Sequence, residues 1–146
     1  MQCNHEDDIS ILDSDILWRQ IGTNHYVFVP KEKRRRLSSN AFQASKDETG
    51  FSVLLEKIVK QSNRQARDVV NDKRPWLVSL VVFEIRSLEF GVYRDPLENE
   101  QAHANVFDKN KMRGGSESKR MRESMAKMAK WVISPPEVKD EKSNNS

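Results

Sequence analysis

The 146 residues contain one cysteine, Cys3. No disulfide can form within the chain, and a cysteine-built metal centre is excluded for a single copy. Long apolar runs are also missing. The longest, WLVSLVVFEI, is about half of what spans a bilayer. The N-terminus shows no basic segment followed by an apolar one, so no secretory signal is expected, and a soluble cytoplasmic protein without membrane contact follows. Glycine is scarce, at five residues, and is never arranged as a phosphate-cradling loop of the P-loop or dinucleotide type. Aromatic residues make up 8% of the chain, too few to favour sequence-specific reading of single-stranded RNA by stacking.

Charge, by contrast, is plentiful at 32% of residues, with a net value of only +3. It is segregated rather than mixed. The first fifteen residues hold five acids and no Lys or Arg, residues 31–36 carry five cations against one acid, and residues 109–130 carry eight against two. Such patches suit phosphate. Hydrophobic content of 36% is low for a compact domain, and the shortfall lies at the ends. The expected organisation is an acidic, flexible segment over residues 1–14, one domain over 15–133 and a flexible polar tail over 134–146.

ILWRQI and HYVFV, separated by Gly22-Thr23-Asn24, have the pattern of a hairpin. Alternation in the first places Arg19 on one face with Leu17 and Ile21, an unusual site for a charge unless it has a partner. Residues 30–50 lack periodicity and read as a long loop, a feature often functional. Phe51, Leu54, Leu55, Ile58 and Val59 then follow helical spacing, with Ser52 as a candidate cap. A weaker helical segment follows in RQARDVVND. WLVSLVVFEI reads as a central strand, and GVYRD and AHANVF as two more. Met121, Met125, Met128 and Val132 form the stripe of a last helix, stopped by Pro135-Pro136. Strands and helices mix without strict alternation. The expected fold is α+β: a small mixed or antiparallel sheet, two or three helices packed on it and disordered-looking termini.

Four constellations have chemical content. In KEKRRRLSSNAF, Arg36, Ser38 and Ser39 offer guanidinium and hydroxyl donors to an anion, with Phe42 anchoring the loop. In GVYRDPLENEQAHANVF, Arg94 would hold an anion while His103 serves as acid-base, oriented by Asp95. His25 and Arg19 form a third set. Brought together with His103, His25 would suit phosphoester chemistry. No metal is expected, because His25, His103 and an acid show no ligand spacing, and nothing implies a cofactor. The fourth is KNKMRGGSESKRMRESMAKMAK, whose Lys and Arg residues could meet a phosphate backbone.

The order LWR, RxSSxAF, GFSV and GVYRDPLENEQAHANV, over roughly residues 16–107, resembles a group of small bacterial proteins of unassigned function. That resemblance implies a bacterial, cytosolic, single-domain protein. An Arg followed by a Ser-containing loop is also loosely similar to the nucleotide clefts of ADP-ribosyltransferase-like folds, but the third acidic motif of those folds is not identifiable.

Two readings remain. In one, Arg19, His25, Arg36, Ser38, Ser39, Arg94, Asp95 and His103 line a single cleft for a phosphorylated small molecule or nucleic-acid end. In the other, the chain is an adaptor that meets a protein partner and has no catalytic activity. Whether it is an enzyme is left open by the sequence.

Overall fold

A computed structural model of the chain describes residues 6–32, 34–43, 50–110 and 113–136. Cys3, His5, Lys33, Lys111 and the tail beyond residue 136 lie outside them. The described residues form an α+β structure of eight strands and three α-helices. Six strands make one antiparallel sheet in the order β6-β7-β4-β1-β5-β8: β6 (Phe90–Arg94), β7 (His103–Asp108), β4 (Gly50–Leu55), β1 (Ile16–Ile21), β5 (Trp76–Val81) and β8 (Lys130–Ile133). The remaining two, β2 (Tyr26–Val29) and β3 (Arg34–Leu37), form a separate ribbon.

The sheet is apolar on both faces, and side-chain alternation divides it cleanly. Leu17, Ile21, Phe51, Val53, Leu55, Val78, Leu80, Val92, Ala104 and Val106 share one face. It is covered by α3 (Gly115–Met128) through Met125, by α2 (Val82–Ser87) through Ile85, and by the Ser39–Phe42 turn through Ala41 and Phe42. Trp18, Leu54 and Leu77 point to the other face, where α1 (Glu56–Gln61) contributes Val59 and the Ala66–Val69 turn contributes Val69. The first is the α3 face of the sheet and the second the α1 face.

Several sequence expectations change. β1 does not pair with β2: it lies between β4 and β5, and β2 pairs with β3 across Tyr26↔Leu37 to Val29↔Arg34. The loop expected over 30–50 therefore contains a strand and a 3-10 turn. The helix expected from Phe51 begins only at Glu56, so Ser52 is a strand residue rather than a cap. WLVSLVVFEI likewise splits into β5 and α2 at Val82. In both places a strand passes into a helix without a loop. A strand buried on both faces has no polar alternation to mark its end, so its apolar residues merge with the helical stripe. The last helix stops at Met128, and Val132 belongs to β8.

Residues 6–14, part of the acidic N-terminal segment, pack against the sheet. Ile11 is 2% exposed in the core. Asp8 N–H donates to the Val92 carbonyl at 2.9 Å, and Val92 N–H donates to Asp7 Oδ1 at 3.1 Å. The segment thus occupies backbone groups of β6, the open edge of the sheet. Arg86 holds it there through Asp7 at 2.9 Å and Asp13 at 2.6 Å.

Candidate functional site

The residues singled out in the sequence separate onto two sides of the sheet. Arg19 is on the α3 face, 8% exposed. Its Nε donates to the Ala41 carbonyl at 2.9 Å, its Nη1 donates to the Ser52 carbonyl at 2.8 Å, and its guanidinium lies 5.2 Å from the Phe51 ring centre. The β1–β4 ladder holds only Leu17↔Leu55 and Trp18↔Leu54, and where it ends the arginine bridges the two strands. Burial, followed by repulsion from Arg74, lowers its pKa to about 10, and it remains a cation at neutral pH. Two of its donors are thus directed at backbone carbonyls, which gives Arg19 a structural role.

His25 is structural for a similar reason. Its Nδ1 accepts the Gly22 N–H at 3.0 Å, which leaves the ring proton on Nε2. Burial first, then Arg74 and Arg19, lowers its pKa to about 4, so the ring is neutral at physiological pH. Ser38 Oγ accepts the Asn40 N–H at 3.0 Å and caps the turn that Ser39 opens. Phe42 anchors that turn against Phe51, with ring centres 5.6 Å apart. Arg36 is exposed on β3. These residues therefore belong to the α3 side of the sheet.

On the α1 face the picture is different. His103 stands opposite Leu54, and Asn105 opposite Ser52, in the β4–β7 ladder. His103 Nδ1 is 2.8 Å from the Asp95 main-chain carbonyl, and Nε2 is 3.1 Å from Ser52 Oγ. A carbonyl can only accept, so Nδ1 carries the proton and Nε2 presents a lone pair to the serine hydroxyl. The Asp95 carboxylate is 3.6 Å from Nδ1 and is itself fixed by Asn105 Nδ2 at 2.8 Å. Glu100 is close by, accepting Ala102 N–H and gripped by Arg64 through two bonds of 2.7 Å. Arg94, opposite Ala104 and therefore on the α3 side of β6, is exposed and donates to the Gln101 carbonyl at 3.0 Å.

Thus the Asp95 and His103 of one sequence stretch meet, whereas Arg19, His25 and the Ser38–Ser39 turn do not join them. A single Arg/Ser/His cleft is not formed, because β-strand alternation sends Arg19 and His103 to opposite faces. Ser52 is the residue that sequence reasoning missed. It reads as a helix cap in a linear pattern, and only the register of β4 against β7 brings it to His103.

A cleft of about 420 Å³ also opens on the α1 face, lined by Trp18, Lys60, Arg64, Gln65 and Ser79 among others. Among the described residues, no group of three His, Cys, Asp or Glu side chains converges to hold a metal ion. No helix of the described residues is long and apolar enough to cross a membrane. No known protein-family model, curated protein or solved structure matches the chain.

Proposed function

We propose that this chain binds a phosphate-bearing ligand, with a nucleic-acid backbone or end as the class that best fits, over the basic side formed by the β2–β3 ribbon and α3. The observation that carries this reading is the placement of α3, which packs on the Ser39–Phe42 turn and reaches β3. Two basic segments far apart in sequence are thereby neighbours. Arg36 on β3, and Lys119, Arg120 and Lys127 on α3, are exposed. Val27, paired with Arg36 across the ribbon, is also exposed, at 47%, and offers apolar contact beside that cation. Binding of this kind rests on charge and counterion release, without base reading.

The test is fluorescence anisotropy with labelled 20-nucleotide single strands and duplexes over a salt series. The expected outcome is binding that weakens steeply with salt, by about one unit of log–log slope for each phosphate neutralised. Arg36→Glu combined with Arg120→Glu should weaken it at least about tenfold at low salt. Salt-independent binding, or a charge-reversed variant that binds as the wild type does, overturns the reading.

One observation favours the adaptor alternative. Ile9, Leu12 and Phe83 are 91%, 55% and 61% exposed, and the Phe83 N–H donates to the Asp13 carbonyl at 2.9 Å, bringing α2 beside the N-terminal segment. Exposed apolar side chains near that junction would suit a protein partner. If no polyanion binds, recovery of a defined partner by the intact chain, lost in Phe83→Asp, supports this second reading.

A further inference from the structure

We propose that Ser52 is a nucleophile activated by His103, and that the α1 face of the sheet carries a site for acyl transfer from a neutral carboxylic ester. This inference is independent of polyanion binding, which uses the α3 side. Four observations support it. The hydroxyl and Nε2 are 3.1 Å apart, within reach for proton transfer. The Asp95 carbonyl fixes the tautomer that leaves Nε2 as the base, and the Asp95 carboxylate stands 3.6 Å from Nδ1, where it can stabilise the imidazolium. Both reacting groups sit on paired strands, which hold geometry better than loops do. Finally, Arg19 grips the Ser52 main chain from the opposite face at 2.8 Å, fixing the strand at the point where the hydroxyl projects.

The chemistry balances with water as the only co-reactant. Ser52 Oγ forms a bond to the ester carbonyl carbon as its proton passes to His103 Nε2. The tetrahedral intermediate collapses, the carbon–oxygen bond of the leaving alcohol breaks, and the alcohol takes the proton from Nε2. Water then attacks the acyl-serine, giving its proton to Nε2. The Ser52–acyl bond breaks, Oγ recovers the proton and a carboxylic acid departs. Asn105 gives one amide hydrogen to Asp95 and stands across the ladder from Ser52; its second amide hydrogen is the donor assigned to the developing oxyanion. The acyl group is assigned as neutral because the Asp95 carboxylate stands 3.6 Å from His103, whereas the Glu100 carboxylate is already paired with Arg64.

The test is labelling of the full chain with an alkyl fluorophosphonate, read by intact mass and peptide mapping. Attack by Oγ forms an oxygen–phosphorus bond and expels fluoride, with the proton leaving through His103. One adduct, on Ser52, is expected. It should be absent in Ser52→Ala and slowed at least about 100-fold in His103→Gln. Asp95→Asn, a change at a positioning residue, should lower the maximal labelling rate and leave the half-saturating probe concentration unchanged. Turnover of p-nitrophenyl acetate should fall to the uncatalysed rate in Ser52→Ala. Should His103→Gln not fold, Ser52→Cys replaces it: its thiol must react with iodoacetamide at least about tenfold faster than a denatured control. No adduct on wild type, an adduct elsewhere, or ester turnover unchanged in Ser52→Ala overturns the proposal. So does a thiol no faster than the control. Oligonucleotide binding by Ser52→Ala should match wild type, which keeps this test separate from that of the basic side.

Discussion

Arg19 occupies a position where the alternation of β1 calls for an apolar side chain, and its guanidinium replaces the hydrogen bonds that a short ladder leaves out. Its two acceptors are main-chain carbonyls, so no other side chain could reveal them in the sequence. Arg19→Met keeps the apolar stem and removes both donors. Leaving one buried and one partly buried carbonyl unsatisfied should cost about 2 kcal/mol, measured as a lower urea midpoint with an unchanged slope. A loss below about 0.5 kcal/mol would mean that the carbonyls find other donors. His25 makes a second prediction at this scale. Its pKa is about 4 in the fold, against 6.5 when free. The unfolded chain therefore takes up the proton first as pH falls. Stability from this group is full above 6.5 and is lost progressively between 6.5 and 4. Denaturation at about pH 7 and about pH 5 should show a decrease on the order of 2 kcal/mol. That decrease should largely vanish in His25→Gln. If the variant shows the same decrease, another group is responsible.

At the scale of elements, the sequence was legible where a chain segment serves one structural purpose. β6 and β7 lie on GVYRD and AHANVF, and α3 runs along its Met stripe with Met125 fully buried. It was misread where one apolar run serves two elements, as at Leu55–Glu56 and Val81–Val82. It was misread again where proximity in sequence suggested a partner. Gly22-Thr23-Asn24 looks like a hairpin turn, yet Thr23–His25 form a 3-10 turn that swings the chain out of the sheet into the ribbon. Pairing energy depends on which faces are buried, and β1, apolar on both, is stabilised more between β4 and β5 than at an edge. The candidate site follows the same rule. Asp95 and His103, eight residues apart, could be linked from sequence. Ser52 could not, because its link to His103 depends on strand register.

At the scale of the molecule, the acidic N-terminal segment completes the sheet. Asp7 accepts from Val92 N–H and pairs with Arg86, and Asp8 takes the Val92 carbonyl. An exposed edge strand left unpaired invites association with another chain. Asp7→Ala should therefore loosen the segment where it meets β6, with a stability loss of about 1–2 kcal/mol and at least about tenfold faster hydrogen exchange at the Val92 amide. Exchange in β1 should change only as far as global stability does. An unaltered Val92 amide would show that β6 does not depend on this contact.

The sequence by itself determined the mixed α+β character, the single-chain limits on disulfide and cysteine–metal chemistry, and the basic segments. Those properties follow from composition, local periodicity and short-range spacing. Only the tertiary structure decided that Arg19 and His103 face opposite ways, that β3 lies beside α3, and that Ser52 meets His103. Each of these depends on contacts between distant segments. Strand pairing selects them by burying apolar area on both faces of one sheet, and its period of two assigns every side chain on a strand to a face.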